Sequence, residues 1–370
     1  METALKRLPL HSLHAQRNAH FGAFGEWEVP LYFSSILDEH EAVRTRAGLF
    51  DISHMGEFHL SGKSAQAFLD HLLPRRAERL KDGKALYAPL LNDQGGIVDD
   101  LIVYQLAPEK FLFIVNAANI EKDFRWIEHH LPKGLQFENA SERLFLFALQ
   151  GPRSVEIAET LFRCDFKSLG YYHFLYGKTA WGEVLISRTG YTGEDGIEIM
   201  GEISQAGSLW EALIHAGKPR KLQPIGFGAR DTLRLEAGML LYGHDMDDST
   251  SAVEAGLEWA LDLDKKDFIG RERNLREKQE GISRKLAGFE MIERGIPRHE
   301  FAIEKAGRLL GEVTSGTFAP TLKKNIGLGY VSAAEAKAGN EFDIVIRDKR
   351  VRARVVPLPF YKRPSLRGGR

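Results

Sequence analysis

The sequence predicts an α+β fold with a small β-rich domain at its C-terminal end, and three observations predict it. Upstream of Lys265, strand-like and helix-like segments alternate without the strict strand–helix–strand rhythm of a doubly wound parallel sheet. A charged, helix-prone stretch from Lys265 to Lys285 then marks a boundary, and beyond it short β-rich segments recur between glycine-containing turns. Of 370 residues, 43% are hydrophobic, enough to bury a sizeable core in about two to three domains.

In chain order, the turn Asn92-Asp-Gln-Gly-Gly96 feeds Ile97-Val-Asp-Asp-Leu-Ile-Val-Tyr104, a strongly β-prone run. Lys110 to Val115 and Arg143 to Gln150 are short and apolar, as buried strands are, whereas Ile120 to His130 and Ser154 to Leu161 fit helices. A glycine-rich loop from Ser187 enters a strand that carries Glu198, and Gly226 to Gly243 reads as a helix ended by glycine. The charged stretch is interrupted at Gly281. After it, Lys285 to Glu290, Leu310 to Thr314, Ile326 to Val331, Phe342 to Ile346 and Val351 to Val356 suit a small barrel or sandwich.

Composition excludes several classes of function. Fifty basic residues against 51 acidic ones give a net charge of −1, without the basic excess that a nucleic-acid phosphate backbone demands. The longest apolar run, Leu144 to Leu149, is far short of the ~18 residues of a membrane span. Cys164, the single cysteine, rules out an internal disulfide and a cysteine-rich metal cage, which suits a reducing compartment. With no import or secretion signal at the N-terminus, the expected location is the cytoplasm. Arg347 to Arg370 holds nine basic residues and one acid. This tail fits a solvated edge strand protected by charge, or a dock for an anionic partner.

Several motifs are incomplete. Gly62-Lys63-Ser64 and Gly177-Lys178-Thr179 lack the earlier glycine of a P-loop, which would fall at Glu57 and Tyr172. Gly226-Phe-Gly228 is not followed by the third glycine of a dinucleotide fingerprint. His40-Glu41 and His299-Glu300 lack the second histidine of a zinc helix, so no metal site is expected. The acidic run His244 to Asp248 lacks the glycine and closing glutamate of a calcium loop and reads as a solvated turn.

Three stretches carry chemistry. In Ile97 to Tyr104 two adjacent acids must point to opposite faces, Asp100 sharing its face with Val98, Ile102 and Tyr104. One acid therefore meets an apolar face, which requires a donor-lined cavity, a bound ligand or an ion pair. In Ser187 to Met200, Gly190, Gly193 and Gly196 permit positive φ and close backbone approach, and Glu198 points away from Ile197 and Ile199. That pattern fits a solvent-facing acid as well as a binding carboxylate. In the third stretch, Arg230 lies near a helix start, where a positive charge opposes the helix dipole by ~0.3–1 kcal/mol. A carboxylate or ligand would offset it, and a structural ion-pair network with Arg234 at i+4 is the other reading.

With these stretches in place, the chain resembles the aminomethyltransferase, or T-protein, family of the glycine cleavage system along nearly its whole length. The likeness rests on Gly48-Leu-Phe-Asp-Ile-Ser-His-Met-Gly56, Gly95-Gly-Ile-Val-Asp-Asp-Leu101, Val115-Asn-Ala-Ala-Asn119, Arg188-Thr-Gly-Tyr-Thr-Gly-Glu-Asp-Gly196, Gly228-Ala-Arg-Asp-Thr-Leu-Arg-Leu-Glu236 and Val313-Thr-Ser-Gly-Thr-Phe-Ala-Pro-Thr-Leu322. It implies three lobes around a central cavity. Two N-terminal α+β lobes with ferredoxin-like elements would form a folate-binding region over residues 1–275, and a C-terminal β-barrel would span 283–361.

The resemblance also implies the reaction. Family members take an aminomethyl group from the lipoyl arm of the H-protein and give its carbon to tetrahydrofolate. The products are 5,10-methylenetetrahydrofolate, ammonia and the dihydrolipoyl H-protein. Asp100 is similar to the family's catalytic carboxylate and Glu198 to its pterin anchor, with Arg230 matching a folate-contacting arginine. Met55, Tyr87, Tyr104, Asn116 and Tyr191 match positions that line the same pocket. The expected partners are lipoylated H-protein and tetrahydrofolate as co-substrate, with neither nucleic acid nor membrane.

Two other readings share the architecture. One is a folate-binding paralogue in iron–sulfur protein maturation, which carries a cysteine-containing K-G-C-Y-x-G-Q-E segment. Here the corresponding region is Asp264-Lys-Lys-Asp-Phe-Ile-Gly-Arg-Glu272, without cysteine. The other is a sarcosine or dimethylglycine dehydrogenase, whose additional flavin domain 370 residues leave no room for.

Overall fold

A computed structural model describes residues 4–166 and 168–363. It is a mixed α+β structure that divides into two compact units, one of residues 1–65, 79–86 and 102–231, the other of 66–78, 87–101 and 232–370. The division falls inside the strands Ala85–Leu91 and Ile97–Ala107 and the helix Phe227–Glu236.

The first unit is built on a six-stranded sheet ordered Phe174–Thr179, Gly182–Ser187, Gly196–Glu202, Leu144–Gln150, Gly48–Asp51, Gln223–Pro224. All its pairings are antiparallel but the last. Alternation along Leu144–Gln150 sends Phe145, Phe147 and Leu149 into the core with Ile197 and Ile199. There they meet Trp210, Leu209 and Leu213 of the helix Ala206–Gly217 and Ile157 and Ala158 of Ser154–Leu161. Each fully buried Leu, Ile or Phe among them contributes about 1.5–3 kcal/mol by leaving water. The opposite face carries Glu198 and Ser187 among buried apolar neighbours such as Phe50, Leu146 and Ala148. A second sheet pairs Lys110–Val115 with Gly56–Ser61 and with residues 102–107.

The second unit contains a closed barrel ordered Arg284–Met291, Lys324–Ser332, Arg308–Ala319, Ala302–Lys305, Glu341–Ile346, Lys349–Val355. Closure corrects one expectation. The basic strand Lys349–Val355 is no edge, because it pairs on both sides, with Glu341–Ile346 and Arg284–Met291. Ala353 and Val355 turn inward, while Arg350 and Arg354 project outward onto Glu304 at 2.7 Å and Glu341 at 2.6 Å. Its charge is thus partly matched within the barrel. The last residues of the basic tail, 364–370, lie outside the described residues. The strand Ala302–Lys305, four residues long, was not expected from the sequence.

Two further expectations change. The helix begun at Gly226 runs only over Phe227–Glu236. Gly238 takes φ +66, the Gly238 amide donates to the Leu235 carbonyl at 2.9 Å and the Met239 amide to the Arg234 carbonyl at 2.9 Å, the two bonds of a Schellman stop. Nor is His244–Asp248 solvated throughout: His244, Asp247 and Asp248 are exposed, but Asp245 and Met246 are buried. Asp245 is fully buried, accepts from Arg234 at 2.7 Å, the Leu241 amide at 2.9 Å and Thr314 at 2.5 Å, and so ties residues 232–245 to the barrel strand Arg308–Ala319. Among the described residues no helix is long and apolar enough to cross a membrane.

Candidate functional site

Glu198 lies in mid-strand between two fully buried isoleucines, so alternation turns its carboxylate to the opposite face, beside its cross-strand neighbours Ala148 and Ser187. There it has partners. Thr189 Oγ1 donates a short hydrogen bond to Glu198 Oε2. Ser187 Oγ lies 2.7 Å from Thr189 Oγ1, and the Tyr104 hydroxyl lies 3.2 Å from Ser187 Oγ and 3.4 Å from Thr189 Oγ1. Enclosure by the surrounding atoms pushes the Glu198 pKa above the ordinary carboxylate value, opposed by the Thr189 bond and the charge of Arg230. Burial and the nearby Glu198 charge likewise hold the Tyr104 hydroxyl in its protonated form.

The loop that delivers these groups is held by Gln150, a buried residue at the end of the Leu144–Gln150 strand. Its Nε2 donates to the carbonyls of Thr189 at 3.1 Å and Ile197 at 3.3 Å, while Oε1 accepts from Thr192 at 2.9 Å. This explains the glycines. Only Gly193 has a positive φ, +77, whereas a Cβ at Gly190 would stand 2.1 Å from Gln150 Oε1 and one at Gly196 2.4 Å from Nε2. Arg188 grips Asp195 with two bonds of 3.0 and 2.7 Å, and Arg44 of the helix Ile36–Thr45 reaches Thr192 O at 2.7 Å and Glu194 at 3.0 Å.

Arg230 occupies the first turn of Phe227–Glu236 with its guanidinium carbon 4.6 Å from the centre of the Tyr191 ring. Its charge favours the ionised form of Glu198 and opposes protonation of His54. His54, boxed by Phe24, Trp27 and Phe227, is pushed down to about 3, chiefly by burial and then by Arg230, and stays neutral. The start of the helix is held by Glu39, whose carboxylate accepts from the amides of Gly226 at 2.7 Å, Phe33 at 2.6 Å and Ser34 at 2.8 Å.

The first unit therefore brings together Tyr104, Tyr191, Glu198 and Arg230. Met55 and Asn116 belong to it as well. They flank the Gly56↔Val115 pair and so lie at the same end of the second sheet. Tyr87 and Asp100 belong to the second unit. Tyr87 stacks on Trp259 with ring centres 5.2 Å apart, and Asp100 is half-buried on Ile97–Ala107. Its neighbour Asp99 points into the more apolar face and is completely buried.

Sequence reasoning passed over Thr189, Ser187, Gln150, His54 and Glu39. For Ser187, which pairs across from Glu198, strand alternation gave a signal, whereas Thr189 lies in the loop beyond the strand. No comparable spacing exposes Gln150, whose partners lie 39 to 47 residues on, or Glu39, which accepts from backbone amides of the preceding turn and of distant Gly226.

Comparison with known proteins gives a consistent result over the whole length. Residues 10–265 match the GCVT N-terminal domain, and residues 284–362 match the glycine cleavage T-protein C-terminal barrel domain. The aminomethyltransferase of Desulforamulus reducens is 46% identical over 359 residues, 97% of this chain and 99% of that protein. That of Geobacillus kaustophilus is 47% identical over 361 residues, 97% of this chain and 99% of its own. The crystal structure of glycine cleavage system aminomethyltransferase T from Bartonella henselae aligns with a TM-score of 0.91 at 36% identity, covering 97% of this chain and 99% of that one.

Proposed function

Because this chain belongs to the glycine cleavage T-protein family of aminomethyltransferases, we propose that it is a cytoplasmic enzyme that moves the one-carbon unit from the aminomethyl-lipoyl arm of H-protein to tetrahydrofolate. The products are 5,10-methylenetetrahydrofolate, ammonia and dihydrolipoyl H-protein. The observation that weighs most is likeness without truncation, 97% of this chain against 99% of a relative that bears the aminomethyltransferase name.

The donor set of the first unit fits a folate. Glu198 Oε2 is engaged by Thr189. A carboxylate so held offers acceptors to the adjacent N–H groups of a pterin. Tyr191, with Arg230 over its face, presents a flat charged surface, and Met55 and Asn116 supply a polarizable and a polar lining. Tetrahydrofolate, when bound, supplies the amine nitrogens that receive the carbon.

Asp100 is the residue to which the reading gives the chemistry. As ammonia leaves, positive charge develops on the transferred carbon, and a preorganised carboxylate stabilises that charge and holds or moves the accompanying proton. Its half-buried setting on the Ile97–Ala107 strand limits the water around the carboxylate and so favours its interaction with the developing charge. Tyr87 would add a stacking surface beside Trp259.

The test is methylene transfer from aminomethylated H-protein to tetrahydrofolate, with ammonia and lipoyl thiols counted together. Equimolar release of both that depends on this protein is expected. Equal rates with the protein present and omitted would end the proposal.

A further inference from the structure

The Tyr104–Ser187–Thr189 hydroxyl chain explains how Glu198 is aimed. An ionised carboxylate only accepts, so the single Thr189 proton is committed to Glu198 Oε2. Thr189 Oγ1 is then left to accept, and Ser187 Oγ at 2.7 Å is the group that donates to it. With its proton used, Ser187 accepts in turn from the Tyr104 hydroxyl at 3.2 Å. One proton per hydroxyl leaves one sense for the whole chain, from the phenol toward the carboxylate. All three donors are buried, at 2%, 1% and 7% exposure, so water does not compete for these bonds.

We propose that Ser187 and Thr189, with the Tyr104 hydroxyl behind them, are positioning residues that clamp one oxygen of Glu198, so that the carboxylate is presented ionised and in one rotamer to a flat heterocycle with adjacent N–H donors. This rests on the folate reading given above and adds to it the means by which the anchor is set. The assignment also gives Tyr104 a different task from that of a pocket wall, because its hydroxyl is spent on the chain.

The clamp has a second consequence. Burial raises the Glu198 pKa, while the Thr189 bond and Arg230 lower it. Arg230 on the helix Phe227–Glu236 and Tyr104 on Ile97–Ala107 are the charged or titratable groups that act on Glu198. Its cross-strand neighbours Ala148 and Ser187 carry no charge. Loss of the Thr189 hydroxyl therefore moves the Glu198 pKa further up.

The experiment measures tetrahydrofolate binding by fluorescence between pH 5 and 9 on the full chain, under reducing conditions, for wild type, Thr189→Val, Thr189→Ser and Ser187→Ala. It also follows the Glu198 carboxyl by difference infrared spectroscopy against Glu198→Gln, which needs no ligand. A hydrogen bond to a charged group corresponds to about a ten- to hundredfold change. Thr189→Val should weaken binding by that factor at neutral pH, move its acid limb to higher pH, and leave turnover at saturating folate nearly intact. Thr189→Ser should restore both affinity and pH profile, and Ser187→Ala should shift both in the direction of the valine variant but less. An unmoved carboxyl titration in Thr189→Val, or wild-type affinity with an unmoved acid limb, would overturn the clamp. Should Thr189→Val fail to fold, an unshifted Glu198 titration in Ser187→Ala refutes it equally. Failure of wild type to bind tetrahydrofolate would sink the folate reading alone, with the infrared titration still deciding the clamp.

Discussion

Alanine at Gly190 tests how the Glu198 loop is built. The backbone there is outside the positive-φ region, so a methyl group is excluded only by what it meets, and the three nearest atoms are Oε1, Cδ and Nε2 of Gln150 at 2.1, 2.6 and 2.6 Å. Gly190→Ala must displace that side chain. It then loses the bonds to Thr189 O, Ile197 O and Thr192 Oγ1, each worth about 1 kcal/mol net, or about 3 kcal/mol together. Gln150→Ala loses the same three bonds and costs about the same. In the double variant the bonds can be lost only once and the methyl group has room, so its stability should match Gln150→Ala. It should even gain ~0.4–1 kcal/mol from the stiffer unfolded chain. Urea unfolding of the four proteins gives the cycle, with an expected coupling of about 3 kcal/mol between the two sites. Additivity within about 0.5 kcal/mol would show that Gln150 does not hold the loop and that Gly190 is glycine for another reason.

Other perturbations address the remaining parts of the chain. Asp100→Asn should fold and bind folate normally yet lose most turnover in the methylene-transfer assay, with Asp99→Asn milder in turnover; equal rates for wild type and Asp100→Asn would remove Asp100 from the chemistry. Arg234→Met strands the fully buried Asp245 and should cost about 3–5 kcal/mol in denaturant unfolding, whereas a change under about 1 kcal/mol would mean the pair is dispensable. Glu57 is buried with no partner for Oε1, and desolvation alone raises its pKa well above the usual carboxylate value. A raised acid stabilises the fold fully below its unfolded pKa and loses that contribution as pH rises through the folded value. Glu57→Gln should therefore gain on wild type in melting temperature between pH 5 and pH 8, and parallel curves across that range would refute the assignment.

What the sequence made legible follows from how local the signals are. The strand Lys110–Val115 and the helix Ser154–Leu161 match the segments expected from periodicity, and the helix Ile120–His129 differs by one residue, because each has a face decided by apolar spacing. The barrel strand Ala302–Lys305 was missed because only Ile303 of its four residues points into the core, too few to show a period. The early stop of Phe227–Glu236 was missed because Leu235, Met239, Leu240 and Leu241 continue an apolar pattern past the left-handed Gly238. At the candidate site, acids and arginines in unfavourable places were visible, but their partners were not. Glu198 could be singled out from its place between two isoleucines, whereas the hydroxyls that engage it come from two other strands and a loop. Asp245 looked like part of a solvated acidic run because nothing in the run points to Arg234 or Thr314.

Arg230 joins these levels, since its position is poor for the fold and useful for the site. A cation in the first helical turn opposes the macrodipole by ~0.3–1 kcal/mol, and here it also opposes protonation of His54. The helix start is held instead by Glu39, whose three amide bonds do not involve Arg230. Arg230→Met removes both the charge opposed to the dipole and the cation over the Tyr191 ring, two effects of opposite sign on stability. Its tetrahydrofolate affinity should fall by an order of magnitude or more, as Glu198 loses the cation that favours its ionised form. The His54 pKa, read by NMR, should rise from about 3 while remaining below that of an exposed histidine, because burial is the larger cause. A loss of more than about 2 kcal/mol in stability with folate affinity retained would reverse the argument, making Arg230 a structural brace whose place at the helix start owes nothing to a ligand.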